Sequence, residues 1–78
     1  MPVIDAIDGI RIKIYNRDHK PAHIHAIYNE YEALIAVADS RIIAGYLPDN
    51  QLRKVIGWLS DNRVQAQRMF NELNPARR

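Results

Sequence analysis

The chain has no cysteine. No disulfide can therefore staple it, and thiolate catalysis and cysteine-ligated zinc or iron–sulfur sites are excluded. Long apolar runs are also missing. The longest aliphatic stretch is Ala33-Leu34-Ile35-Ala36-Val37-Ala38, against the roughly 20 residues that a membrane-spanning helix needs. Asp5 and Asp8 interrupt the start of the chain, so no signal peptide is expected, and the expected address is cytoplasmic. With only three glycines there is no glycine-rich phosphate loop, and no serine nucleophile elbow or zinc-ribbon spacing occurs.

What remains is an ordinary globular composition, 47% apolar and 26% charged over 78 residues. That length fits one domain, expected as a sheet over about 3–46, a helical layer over about 48–74 and a loose tail at 75–78. A chain this short buries only about 60–65% of its unfolded surface, so oligomerisation is a natural way to add stability. The net charge of +2 is unevenly spread. Residues 1–39 carry four basic and six acidic side chains, and residues 40–78 carry seven and three. The basic half admits a phosphate-rich partner without demanding one.

Asp8-Gly9 between Val3–Ile7 and Ile10–Tyr15 is a strong hairpin signal, because both residues tolerate the positive φ of a type I′ turn. A two-residue turn pairs Ile7 with Ile10, Asp5 with Ile12 and Val3 with Ile14. Ile10, Ile12 and Ile14 then share one face. Asp5 opposite Ile12 is out of pattern, which suggests a place near the sheet edge. The polar stretch from Asn16 to Pro21 reads as a loop. Strands are predicted over Ala22–Tyr28 and Tyr31–Val37 around an Asn29-Glu30 turn, pairing Tyr28 with Tyr31, Ala26 with Ala33 and Ile24 with Ile35. A short fifth strand, Ile42–Tyr46, contains Gly45, which marks a bulge or a close backbone approach.

From Pro48, expected at the first helical position, the period becomes helical. Leu52, Val55, Ile56 and Leu59 form a stripe that continues through Ala66, Phe70 and Leu73, with Trp58 and Met69 at its edge. Arg63 falls inside the stripe. Either the helix breaks near Asp61-Asn62 or Arg63 has a partner beneath it. The expected fold is α+β: an antiparallel sheet of four to five strands followed by one long or two short C-terminal helices packed on one face.

All three histidines, His19, His23 and His25, lie within seven residues. On a strand, His23 and His25 share a face, their backbones roughly 6.5–7 Å apart. That face is opposite Ile24, Ala26 and Tyr28, so both imidazoles are expected to point away from the core. Asp18 and His19 sit in the loop feeding the strand, where three imidazoles and a carboxylate can converge.

Three readings stay open. His19, His23 and His25 suit a divalent metal such as zinc, copper or nickel. Alternatively, the same imidazoles carry acid–base chemistry, with Lys20 or Arg17 holding a phosphate and Arg63 or Arg17 stabilising its charge. Otherwise they order the loop or line an interface. Tyr15, beside Arg11 and Lys13, offers a ring for a nucleobase.

Several stretches together resemble the small bacterial domain-of-unknown-function 4160 family. They are Met1-Pro2, Ile7-Asp8-Gly9-Ile10, Asp18-His19-x-Pro21-x-His23-x-His25, Tyr28-x-Glu30-Tyr31 and Leu47-Pro48, with the helix carrying Trp58. The resemblance covers nearly the whole chain. Departures from it are Lys20 and Ala22 in place of the common Asn and Pro, Asn62 in place of a frequent His, and Phe70 in place of Trp. It implies a cytoplasmic protein that works with a partner encoded beside it, as in toxin–antitoxin pairs.

Two functions are therefore expected to compete. One is an interaction module of a toxin–antitoxin-like or regulatory pair, binding a partner protein and also suited to nucleic acid through the exposed sheet face and the loop Asn16–Ala22, with Tyr15, Arg17, Asp18 and Lys20 as binding residues. The other is a ribonuclease or phosphoesterase working through His19, His23, His25 and Arg63, with or without a divalent metal.

Overall fold

The computed structural model describes residues 3–15, 18 and 20–75. Five strands, β1 (Val3–Ile7), β2 (Ile10–Lys13), β3 (His23–Tyr28), β4 (Tyr31–Ala36) and β5 (Ile42–Gly45), precede one helix, α1 (Asp49–Leu73). The strands form an antiparallel meander in the order β1-β2-β3-β4-β5. This is the predicted α+β arrangement, with a single C-terminal helix.

The turns follow from their residues. Asp8 and Gly9 take φ of 48° and 81°, the left-handed pair that a two-residue hairpin requires. Asn29 at φ 53° opens the β3–β4 turn, as its short amide side chain permits. The β3–β4 register pairs Tyr28 with Tyr31, Ala26 with Ala33 and Ile24 with Ile35, as predicted. At the β1 edge a bulge between Val3 and Asp5 sets Val3 opposite Lys13 rather than Ile14. Asp5 keeps its place across from Ile12, where its carboxylate accepts the Trp58 indole N–H at 2.7 Å. A polar residue is tolerated there because the edge leaves it exposed and a donor from the helix meets it. Gly45, at φ 82°, pairs with Ala33, and a Cβ there would run into the Glu32 carbonyl; the β4–β5 register slips one pair further on, between Leu34 and Ile35.

The core lies between the sheet and α1. Ile10, Ile12, Ile14, Ile24, Ala26, Ala33 and Ile35 meet Val55, Leu59, Ala66 and Phe70. Each fully buried isoleucine contributes about 1.5–3 kcal/mol by leaving water. Ile56, expected in the buried stripe, is exposed, because the stripe is narrower than the period alone suggests. Pro48 is the residue before the helix rather than its first. Its ψ of 152° is extended, yet its carbonyl already accepts from the Leu52 amide.

Both alternatives for Arg63 hold at once. Asn62 leaves helical geometry (φ −125°, ψ 20°), and its side-chain amide donates to the Trp58 carbonyl at 2.8 Å. That bond competes with the helical ladder and kinks α1. Past the kink, Arg63 donates to the Val37 carbonyl and, at 3.3 Å, to the Ser40 hydroxyl. A guanidinium inside an apolar stripe is thereby paired with the turn after β4. Among the described residues no helix is long and apolar enough to cross a membrane.

Candidate functional site

The end of the sheet where β3 begins is closed by polar contacts from three directions. The Ala22 carbonyl accepts from the Val37 amide, tying the loop before β3 to the end of β4. Asn74, just beyond α1, donates to the Tyr15 carbonyl and accepts from the Asp18 amide. Phe70, one turn earlier, packs its ring 5.6 Å from that of His23. These contacts bring Asp18, His23 and His25 together.

His23 corrects an expectation. Strand alternation predicts that both imidazoles point away from the core, and the aliphatic partners Ile24 and Ala26 are indeed fully buried. His23, however, is only 2% exposed. It is the first residue of β3, where Pro21, Asp18 and Phe70 from the end of α1 lie against it; alternation says nothing of what covers a strand's end. His25, two residues in, remains partly open, its side chain 12% exposed.

The imidazoles are oriented by acceptors behind them. His23 Nδ1 lies 2.8 Å from the Pro21 carbonyl, an oxygen that can only accept, so Nδ1 carries the proton. His25 Nδ1 lies 3.0 Å from a Glu32 carboxylate oxygen, which likewise holds a proton on Nδ1 and leaves Nε2 to take either state. Both Nε2 atoms then face one carboxylate oxygen, Asp18 Oδ2, at 2.9 Å from His23 and 3.1 Å from His25. The rings stand 5.1 Å apart, and Tyr15 meets His25 edge-on at 4.4 Å. Burial works to raise the Asp18 carboxyl, but the His25 hydrogen bond, the charges of His23 and His25 and the His23 hydrogen bond outweigh it. The group is held below the ordinary carboxylate range.

This arrangement can do one of two things. With neutral imidazoles, two lone pairs and a carboxylate oxygen converge, and a cation satisfies all three. With a proton on an Nε2, the cluster becomes an ion pair, a poised acid and base. One donor atom from each residue lies within 4.8 Å of the others. Metal–ligand bonds of about 2.0–2.1 Å put neighbouring donors about 3.0–3.4 Å apart, close to the two contacts at Asp18.

Among the described residues, only Tyr15 of the other predicted ones adjoins this cluster. Arg63 is occupied at Val37 and Ser40. Tyr15 lies against His25 and is half-buried. Lys20 is exposed on a cleft of about 320 Å³ that it shares with Pro21, Gln67, Phe70 and Asn71 and that none of Asp18, His23 and His25 lines. Arg17 and His19 lie outside the described residues. Glu32, the Pro21 carbonyl, Phe70 and Asn74 escape the sequence reading. Glu32 alone had a signal: with His25 opposite Leu34 and Ile27 opposite Glu32, it is the diagonal same-face neighbour of His25.

A family model described as a domain of unknown function (DUF4160) matches residues 9–71. No curated protein and no solved structure matches the chain.

Proposed function

The chain belongs to the DUF4160 family, and from that premise we propose that it is a metal-dependent phosphoesterase, with RNA the first substrate to try, centred on Asp18, His23 and His25. The observation that carries the reading is the orientation of the two imidazoles. Each gives its Nδ1 proton to an oxygen behind it and turns Nε2 towards the same carboxylate oxygen. Metal-binding histidines are held in this way, since the outer hydrogen bond fixes the tautomer and raises the basicity of the ligating nitrogen. A set of two nitrogens and one oxygen suits zinc and its first-row neighbours. Such an ion would supply Lewis acidity to a phosphoester. Glu32 holds His25, and Phe70 and Tyr15 pack against the two rings and limit water around them.

Metal analysis of freshly purified protein, followed by calorimetric titration of the stripped protein with Zn²⁺, tests the reading. One ion per chain is expected, with hydrolysis of a phosphodiester that chelator stops and Asp18→Asn abolishes. Phosphodiester hydrolysis that survives exhaustive chelation would transfer the role to acid–base chemistry by the same histidines. No binding and no hydrolysis would remove the enzyme reading.

One further observation favours an interaction module of a toxin–antitoxin-like pair. The edge strand β5 is exposed along its whole length, and Ile42, Ile43 and Tyr46 present apolar surface there. Co-expression with the neighbouring gene product, then light scattering after size exclusion, tests this: a monomer inert to its neighbour argues against it.

A further inference from the structure

Residues 15 and 18 flank the part of the loop that delivers Asp18, and both are held by one side chain. Asn74 Nδ2 donates to the Tyr15 carbonyl at 2.9 Å and to the Phe70 carbonyl at 3.1 Å. Asn74 Oδ1 accepts from the Asp18 amide at 2.5 Å. The Asn74 backbone amide closes the helix on the Phe70 carbonyl at 2.8 Å. A primary amide offers two N–H donors and an accepting oxygen on one planar group, which is what these three contacts use. The position lies one residue past α1, and its contacts span more than 50 residues of sequence.

We infer that Asn74 is the positioning residue of the Asp18–His23–His25 centre, acting through the Asp18 backbone and touching none of the donor atoms itself. The inference rests on the metal reading of that centre. His23 and His25 are carried by a strand, whose ladder holds them in place. Asp18 comes from the loop, and its carboxylate oxygen meets both Nε2 atoms only while its backbone is held. Asn74 supplies that hold from the end of the helix, tying its last turn to Tyr15 and Asp18. The same helix end places Phe70 over His23, so the helix both covers and aims the site.

The test uses the full chain and Co²⁺, whose visible absorption reports affinity and ligand geometry together. Three variants are compared with the native chain. Asn74→Ala removes both side-chain contacts to the loop. Asn74→Asp keeps an oxygen for the Asp18 amide. Leu73→Ala loosens the same helix end, where Leu73 packs on the core, without touching the loop. Asn74→Ala is expected to bind Co²⁺ about 10–100-fold more weakly, with a shifted absorption band, as for loss of an outer-shell partner. Asn74→Asp is expected to recover part of the affinity, and Leu73→Ala to melt earlier while keeping native affinity and spectrum. Native binding by Asn74→Ala, no recovery in Asn74→Asp, or equal loss in Leu73→Ala would each overturn the role of Asn74 and leave the metal centre standing. A native chain whose Co²⁺ spectrum matches that of the free ion overturns the metal reading, and this inference with it.

Discussion

The two faces of β3 are built on opposite terms. On one, Ile24 and Ala26 lie among isoleucines and the helix and are wholly buried. Any apolar side chain of similar volume would satisfy most of that face, because the hydrophobic effect has no direction. On the other, His23 and His25 have named partners at each nitrogen: Pro21 and Asp18 for one, Glu32 and Asp18 for the other. Hydrogen bonds weaken steeply when misaligned, so that face depends on where the loop and the helix end are held. The aliphatic face secures the fold, and the polar face is placed by it.

Ile24→Ala is the strongest blow to this division. It removes fully buried aliphatic volume and is expected to cost about 2–5 kcal/mol of stability in a denaturant titration. Co²⁺ affinity of the remaining folded protein should stay within roughly threefold of native, because the Ile24 side chain leaves β3 on the face opposite the imidazoles. A large loss of affinity would mean that the two faces are not independent.

Glu32→Ala makes the converse cut. The carboxylate is about half exposed (48%), so stability should fall by less than about 1 kcal/mol. Losing the acceptor behind His25 should nevertheless weaken metal binding about tenfold, or more. A variant with native affinity would show that His25 needs no partner at Nδ1.

The smallest effect is expected at Asp5, on the sheet edge. The Trp58 indole N–H and then the Ala6 amide hold its carboxyl below the ordinary range, against a weaker opposing push from burial. A lowered folded pKa means that the carboxylate stabilises the native state above its unfolded pKa. That contribution fades as pH falls through the lower, folded value. Melting temperature should therefore drop slightly below about pH 4, and Asp5→Asn should remove that part of the slope. Trp58 fluorescence, followed over the same range, reports the bond directly. Identical profiles for the native chain and the variant would place the acid sensitivity elsewhere.

How far the sequence could be read tracks the range of the forces involved. Asp8-Gly9 and Asn29 act over two to four residues, so the hairpins and the β3–β4 register were legible, and the diagonal from His25 to Glu32 followed from that register. The convergence of Asp18 with the His-x-His pair was visible as nearness along the chain. The burial of His23 was not, because it depends on Phe70, 47 residues further on. The role of Asn74 was not legible either, for its partners Tyr15 and Asp18 lie at the opposite end of the chain. Arg63 stood out as an anomaly in its stripe, but its partners Val37 and Ser40 required the folded structure.

By itself, the sequence determined the α+β order, the turns and which β3 residues are aliphatic and which are imidazoles, since each rests on local sterics or on periodicity. The tertiary structure alone decided that the kinked helix returns over the start of β3, covers one histidine and clasps the loop of Asp18. Directional bonds between distant segments leave no periodic trace along the chain, and they form only once burial of the core has brought their ends within reach.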